Sequence, residues 1–570
     1  MASTKAKRCP TVLPGVLLLA AYVAITAGSG EFRLATQPQD RPIPAMLAGF
    51  AIAFALYLWG LRRGLTAADS ISVKSVLGFA VAFRIVVLFS TPILEIDIYR
   101  YIWDGNAVVA GVNPYRFSPQ QIQLGELSSN RDLKKLVELG QSSPSLKSIL
   151  NTIHFGDLPS PYPPVSQAVF GLSALLTPDN ASVATHLLVM KSLIVLFDLA
   201  TLWLLIKMLA LLRKPVGWAI AYGWCPVVLK EFANSGHLDS ITVFFTMAAA
   251  YSVVVTSKRG GSSIGFIFSA SLLALATAGK FYPLVLTPVF FVMWWRGSAE
   301  KTASTAPSRP KFSHAIGGLC CYLFATSLLL FPMFYEPPGT GGVQHKTAGL
   351  AKFLREWEIN DFVFMVVIEN LKPPEKLAAD GQKVLVPFAR TSWLQVTSPE
   401  LRTQIVDSCT AQFSLPRNEV PFFIARALTS VAFGIILLWM CVRLWRSASV
   451  DGFLQTVFLT LAIFWFLSPT QNPWYWTWAL AFIPFTKDNK AWLCVSGLTL
   501  IYYSRFWFKS QFFGIPVAGT RYMGVDFFDY VVTCAEFGPW LAWFAIVRTQ
   551  RFVQDRAKSG RPKENVPNST

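Results

Sequence analysis

Runs of predominantly apolar residues recur along the chain near 11–28, 43–60, 74–92, 185–212, 216–230, 238–257, 263–279, 281–296, 314–334, 421–444, 453–468, 472–486, 490–504 and 528–548. A helix that crosses a bilayer needs about 20 such residues, and several of these runs are short or broken by proline. The pattern predicts an all-α polytopic membrane protein with about 12–14 transmembrane helices. Backbone exposed to lipid has to satisfy its hydrogen bonds within its own segment, so this many adjacent spans form an α-helical bundle. Two long intervals, 93–184 and 335–420, exceed connector length and are therefore expected to carry function.

The same pattern divides the chain into three N-terminal spans (1–92), a first loop (93–184), a central bundle (185–334), a second loop (335–420), a C-terminal bundle (421–548) and a basic tail (549–570). The tail is expected to be disordered and the second loop to form a partly ordered cap. In the first loop, helical spacing runs to about Ala110, where Gly111, Asn113 and Pro114 end it. Asp97, Tyr101 and Asp104 are three and four residues apart and so share one face of that helix. The ring-rich opposite face, with Tyr99 and Trp103, suits a helix lying flat at headgroup depth. A short proline-started apolar helix at 165–178 is expected to be re-entrant or partial.

Composition supports this division. The 570 residues are 53% hydrophobic and 14% charged, against about a quarter charged in soluble domains. The net charge of +18 is topogenic. Lys5/Lys7/Arg8, Arg62/Arg63, Arg213/Lys214, Lys258/Arg259, Arg296/Lys301, Arg443/Arg446, Lys487/Lys490 and the tail all fall on one side if both termini are cytoplasmic. That parity keeps the N-terminal apolar run as a first span rather than a cleaved leader, and it puts both long loops on the extracytoplasmic side. It also removes the case for nucleic acid as a partner. The eight Cys have no metal-ligand spacing. With no evident retention signal, they favour a bacterial inner or plasma membrane.

The candidate chemistry concentrates in the first loop. Glu95, Asp97 and Asp104 stand among aromatic residues beside Arg100, a setting suited to general-base work or to phosphate or metal handling, although solvated loop acids are the ordinary alternative. Arg84, Lys191 and Asp198 lie within apolar runs. Their cost there points either to an Arg84–Asp198 or Lys191–Asp198 pair or to a phosphate groove. His237 and Asp239 flank a junction between spans and suit hydrogen bonding to a sugar acceptor. Lys280 suits a lipid phosphate or simple snorkelling. Trp474 suits a sugar face or a membrane-interface belt. Lys230–Glu231 is read as an interface pair.

Five segments then carry a resemblance: D-x-Y-R-Y-x-W-D-G with G-x-N-P-Y at 97–115, YPP at 162–164, GHLDS at 236–240, GKFYPL at 279–284 and SPTQNPWYW at 468–476. In order and approximate spacing they resemble integral-membrane glycosyltransferases of the GT-C superfamily, above all bacterial and archaeal mannosyltransferase-like proteins that use polyprenyl-phosphate sugars. The resemblance implies inverting transfer of a hexose, mannose first, to an extracytoplasmic glycan, glycolipid or protein. Asp97 would be the general base, and Glu95, Arg100, Asp104, His237, Asp239, Lys280 and Trp474 would bind substrate. A divalent metal is allowed at Glu95–Asp97 but not required. The competing classes are a secondary transporter, disfavoured by the lack of visible inverted repeats, and a flippase or ligase of lipid-linked glycans.

Overall fold

The computed structural model describes residues 10–67, 71–125, 130–297, 312–335, 349–350, 352, 357–374 and 393–559. The basic residues at 5–8, Lys301 and residues 560–570 lie outside them. The helices are α1 (Val12–Gly28), α2 (Ile43–Thr66), α3 (Val73–Leu88), α4 (Asp97–Val109), α5 (Pro119–Leu124), α6 (Arg131–Gln141), α7 (Pro144–Thr152), α8 (Pro164–Leu176) and α9 (Val183–Leu211). The central bundle adds α10 (Asp239–Lys258), α11 (Ser263–Gly279), α12 (Thr287–Arg296) and α13 (Phe312–Phe334). The remainder holds α14 (Phe362–Glu369), α15 (Pro399–Phe413), α16 (Val420–Ser447), α17 (Val450–Leu467), α18 (Pro473–Leu480), α19 (Asn489–Leu498), α20 (Ser504–Gln511) and α21 (Thr533–Ser559).

Eight described helices are long and apolar enough to cross a membrane; α8 and α11 are apolar but shorter. The other expected spans prove short or broken. Residues 216–234 fold as a 3₁₀ turn, two single helical turns and a π-turn (Leu229–Asn234). Residues 281–296 split into a 3₁₀ turn and the ten-residue α12. Hydropathy counts residues, whereas Pro226, Pro283 and Pro484 interrupt the backbone hydrogen-bond ladder that a span needs. At the C-terminus α21 continues through Ser559, so residues 549–559 are helical rather than disordered.

The first loop is a folded layer of α4 to α8, and α4 sits at its centre. Its boundaries follow the residues: an acid in the first turn is favoured by the helix dipole, and Gly111 leaves the helix at φ +75°. The rings of α4 do not meet lipid headgroups as their pattern suggested. Tyr99, Tyr101 and Trp103 are buried in protein, with Tyr101 stacked on Phe170 of α8 at 4.7 Å. The two helices approach closely because Gly105 has no side chain; a Cβ there would come within 2.1 Å of the Phe170 carbonyl oxygen. Gly105→Ala therefore forces α4 off α8. We expect a loss of about 1–3 kcal/mol or more, read as a lower melting temperature in detergent.

Buried charges tie the bundle together. Arg84 of α3 donates to both oxygens of Asp198 on α9 (2.6 and 3.0 Å) and to the carbonyls of Ala80 and Gly223. The hydroxyl of Tyr222 also donates to Asp198. Lys191 takes no part in this pair. Lys230 and Glu231, expected at an interface, are fully buried and joined through the hydroxyl of Tyr503.

Candidate active site

A cavity of about 360 Å³ opens where the two loops meet the bundle, within the range of small-ligand pockets. One wall is the start of α4, which contributes Asp97, Arg100 and Tyr101; the next is the α7–α8 connection from His154 to Pro163. Lys280 and the turn after it form a third side, and Arg426 of α16 a fourth. Trp474, Tyr475 and Trp478 of α18 close it, and Trp357 of the second loop roofs it. Phe155 and Leu284 line the cavity and are both at least half exposed, so it reaches the surface on a loop side and on an apolar side.

The second loop is stitched to this site. Ile359 N donates to the Pro469 carbonyl (2.9 Å), and Gln471 N donates to that of Ile359 (2.9 Å). Trp357 packs on Phe155 with ring centres 4.8 Å apart, and Lys352 pairs with Asp157. In this way the second loop holds the SPTQNPWYW segment and caps the first loop at once.

The acids of the first loop have different fates. Asp104 is buried and accepts hydrogen bonds from Arg100 Nε (3.1 Å), Ser160 Oγ (2.5 Å) and Gln167 Nε2 (3.2 Å). It organises the layer and does not line the cavity. Glu95 also stands off the wall, with one oxygen buried and without a hydrogen-bond partner among the described residues. Asp97 is half-buried at the wall, and no described residue hydrogen-bonds its carboxylate. Burial pushes the Asp97 carboxyl above its ordinary range, opposed by His154, Lys280 and Arg100. A carboxylate in that state is a strengthened, available base.

The basic and aromatic candidates form a second rank. Lys280 Nζ donates to both oxygens of Asp239 (2.8 and 2.9 Å), and Trp478 Nε1 donates to Asp239 as well (2.6 Å). Asp239 is thus fully engaged behind the wall while Lys280 borders the cavity, 4.3 Å from the Tyr475 ring centre. The His237 ring stacks on Trp474 at 4.2 Å. Burial, then Lys230 and Lys280, push its imidazole below its ordinary pKa, while Glu231 Oε2 lies 3.3 Å from its Nε2. Of the eight residues expected in the site, Asp97, Arg100, Lys280 and Trp474 line one cavity, and Glu95, Asp104, His237 and Asp239 stand behind it. Sequence reasoning missed His154, Trp357 and Arg426. A cation six residues into an apolar run was a signal for Arg426; His154 and Trp357 lie in stretches without a pattern. Among the described residues, no group of three or more His, Cys, Asp or Glu comes together as a metal site, and Glu95 and Asp97 do not converge on one.

Residues 21–296 match the family model described as alpha-(1->6)-mannopyranosyltransferase, N-terminal domain, of the MptA_B family. The matched region runs from α1 to the end of α12 and contains Asp97, His237, Asp239 and Lys280. It fits a GT-C mannosyltransferase-like protein and, together with the apolar helices, supports a membrane mannosyltransferase. Comparison with curated proteins and with solved structures gives no significant match.

Proposed function

We propose that this protein is a membrane mannosyltransferase that takes mannose from a polyprenyl-phosphate donor on the extracytoplasmic face and inverts the anomeric centre. The acceptor is a glycan or glycolipid hydroxyl. Asp97 takes the hydroxyl proton, the oxygen attacks the anomeric carbon, and the bond to the lipid phosphate breaks with its electron pair leaving on phosphate. The observation that carries this reading is a carboxylate without a hydrogen-bond partner among the described residues, facing a cavity that is also bordered by three cations, Arg100, Lys280 and Arg426. Lys280, held by Asp239, and Arg426 both line the cavity, and their positive charges suit the departing phosphate. The aromatic wall of Trp474 and Tyr475 suits a sugar face. The test is the anomeric configuration of the product by NMR: inversion supports single displacement, and retention would rule out Asp97 as a simple base.

The charge environment of Asp97 sets a pH dependence. The base works deprotonated, so transfer falls as pH drops through its raised pKa. Among the neighbours of Asp97, His154 contributes the largest lowering when protonated, and burial holds its own imidazole below the ordinary range. The His154→Asn variant should therefore move the acid limb of kcat/KM to higher pH, measured across a pH series; an unmoved limb would remove His154 from that environment.

A further inference from the structure

Seven residues after α3, the chain reaches Glu95 by an unusual path. Leu94 adopts φ +64°, the left-handed region, which costs a non-glycine residue about 1–2 kcal/mol. Such a conformation persists only where its surroundings over-determine it, and strained backbone of this kind clusters at functional sites. Three buried side chains supply that hold. Lys191 Nζ donates to the carbonyls of Leu88 (3.1 Å) and Ser90 (2.7 Å). Asn234 Nδ2 donates to Ser90 Oγ (2.7 Å) and the Thr91 carbonyl (2.7 Å), and Asn234 Oδ1 accepts from Ile93 N (3.0 Å). Ser29 Oγ accepts from Thr91 N (2.9 Å).

Lys191 is 1% exposed, and among the described residues no carboxylate lies within ion-pair distance of it. A buried ammonium without an anion is costly, yet its hydrogen bonds here go only to the backbone that leads to Asp97. Neither Lys191 nor Asn234 lines the cavity, so neither meets substrate. The contact continues past the strained residue. Gly236, at φ +71°, brings its backbone against Ile98, the neighbour of Asp97; a Cβ at Gly236 would come within 2.5 Å of Ile98 Cδ1 and 3.3 Å of Lys191 Cγ. The GHLDS segment thus abuts α4 beside the carboxylate, while Asn234 and Lys191 fix the chain that enters it.

We infer that Lys191 and Asn234 are positioning residues, which hold the strained connection from Leu88 to Ile96 and thereby aim the Asp97 carboxylate into the cavity. The inference rests on the reading of Asp97 as the base. A misplacement of about 1 Å costs on the order of 10²-fold in rate, so the hold acts on kcat and leaves donor affinity alone.

A graded series tests this on the purified full chain. Ser29→Ala removes one of these hydrogen bonds, Lys191→Met two and Asn234→Leu three. We expect kcat to fall in that order, to about 10²-fold in Asn234→Leu, with donor KM within about twofold of wild type. Lys191→Arg, which retains donors and charge, should recover most of the loss. Amide hydrogen exchange of the 88–98 peptide, which does not depend on the chemistry at Asp97, should rise in the same order. Ser29→Ala keeps the series informative if a larger change prevents folding. Unchanged exchange in Asn234→Leu, or raised exchange with kcat intact, overturns the inference. An Asp97→Asn enzyme measured in parallel decides the base reading by itself: full activity there with raised exchange in the series would sink the base and leave the hold on the segment standing.

Discussion

Replacing Asp97 with Asn lowers kcat for mannose transfer by about 10²–10⁴-fold, the usual contribution of a positioned general base, with donor KM nearly unchanged. The substitution is close to isosteric, and the carboxylate accepts no hydrogen bond from a described residue, so the fold loses little. The neighbouring acids separate this effect from general damage. Asp104→Asn disturbs a buried cluster with Arg100, Ser160 and Gln167, and its effect should appear first in stability. Steady-state kinetics and thermal melts on both variants check the pair: Asp97→Asn loses rate without losing stability, and Asp104→Asn the reverse.

Arg84→Met has the largest expected effect on the fold. The Arg84 and Asp198 side chains are 1% and 0% exposed, and removing one partner leaves an uncompensated charge at a cost of about 3–5 kcal/mol. The double variant Arg84→Met/Asp198→Leu should recover most of that loss, because apolar groups of similar volume avoid the desolvation cost altogether. Unfolding in denaturant with detergent present measures both. Equal destabilisation in the single and double variants would show that the carbonyl bonds of Arg84 to Ala80 and Gly223 dominate.

The sequence pattern reaches some of this architecture and not the rest, for physical reasons. The C-terminal end of helix α4 was legible to within a residue because its breakers, Gly111, Asn113 and Pro114, are local. The partner of Asp198 was narrowed to Arg84 or Lys191 and no further. Lys191 sits seven residues away on the same helix, but Arg84 reaches Asp198 because α3 crosses α9, and no periodicity encodes that crossing. Lys280 and Asp239 were both singled out, yet a bridge spanning 41 positions depends on how α10 packs against α11. The rings of α4 were misread because an amphipathic aromatic face looks the same whether it meets lipid headgroups or α7 and α8. In the same way, hydropathy alone does not separate an unbroken span from one interrupted by Pro226.

The most direct test of the proposed function is transfer of radiolabelled mannose by the purified chain in liposomes, with polyprenyl-phosphate mannose and nucleotide-activated mannose offered separately. Labelled product from the lipid-linked donor alone, lost in Asp97→Asn, is the predicted result. Transfer from the nucleotide donor alone, or undiminished transfer by Asp97→Asn, would contradict it.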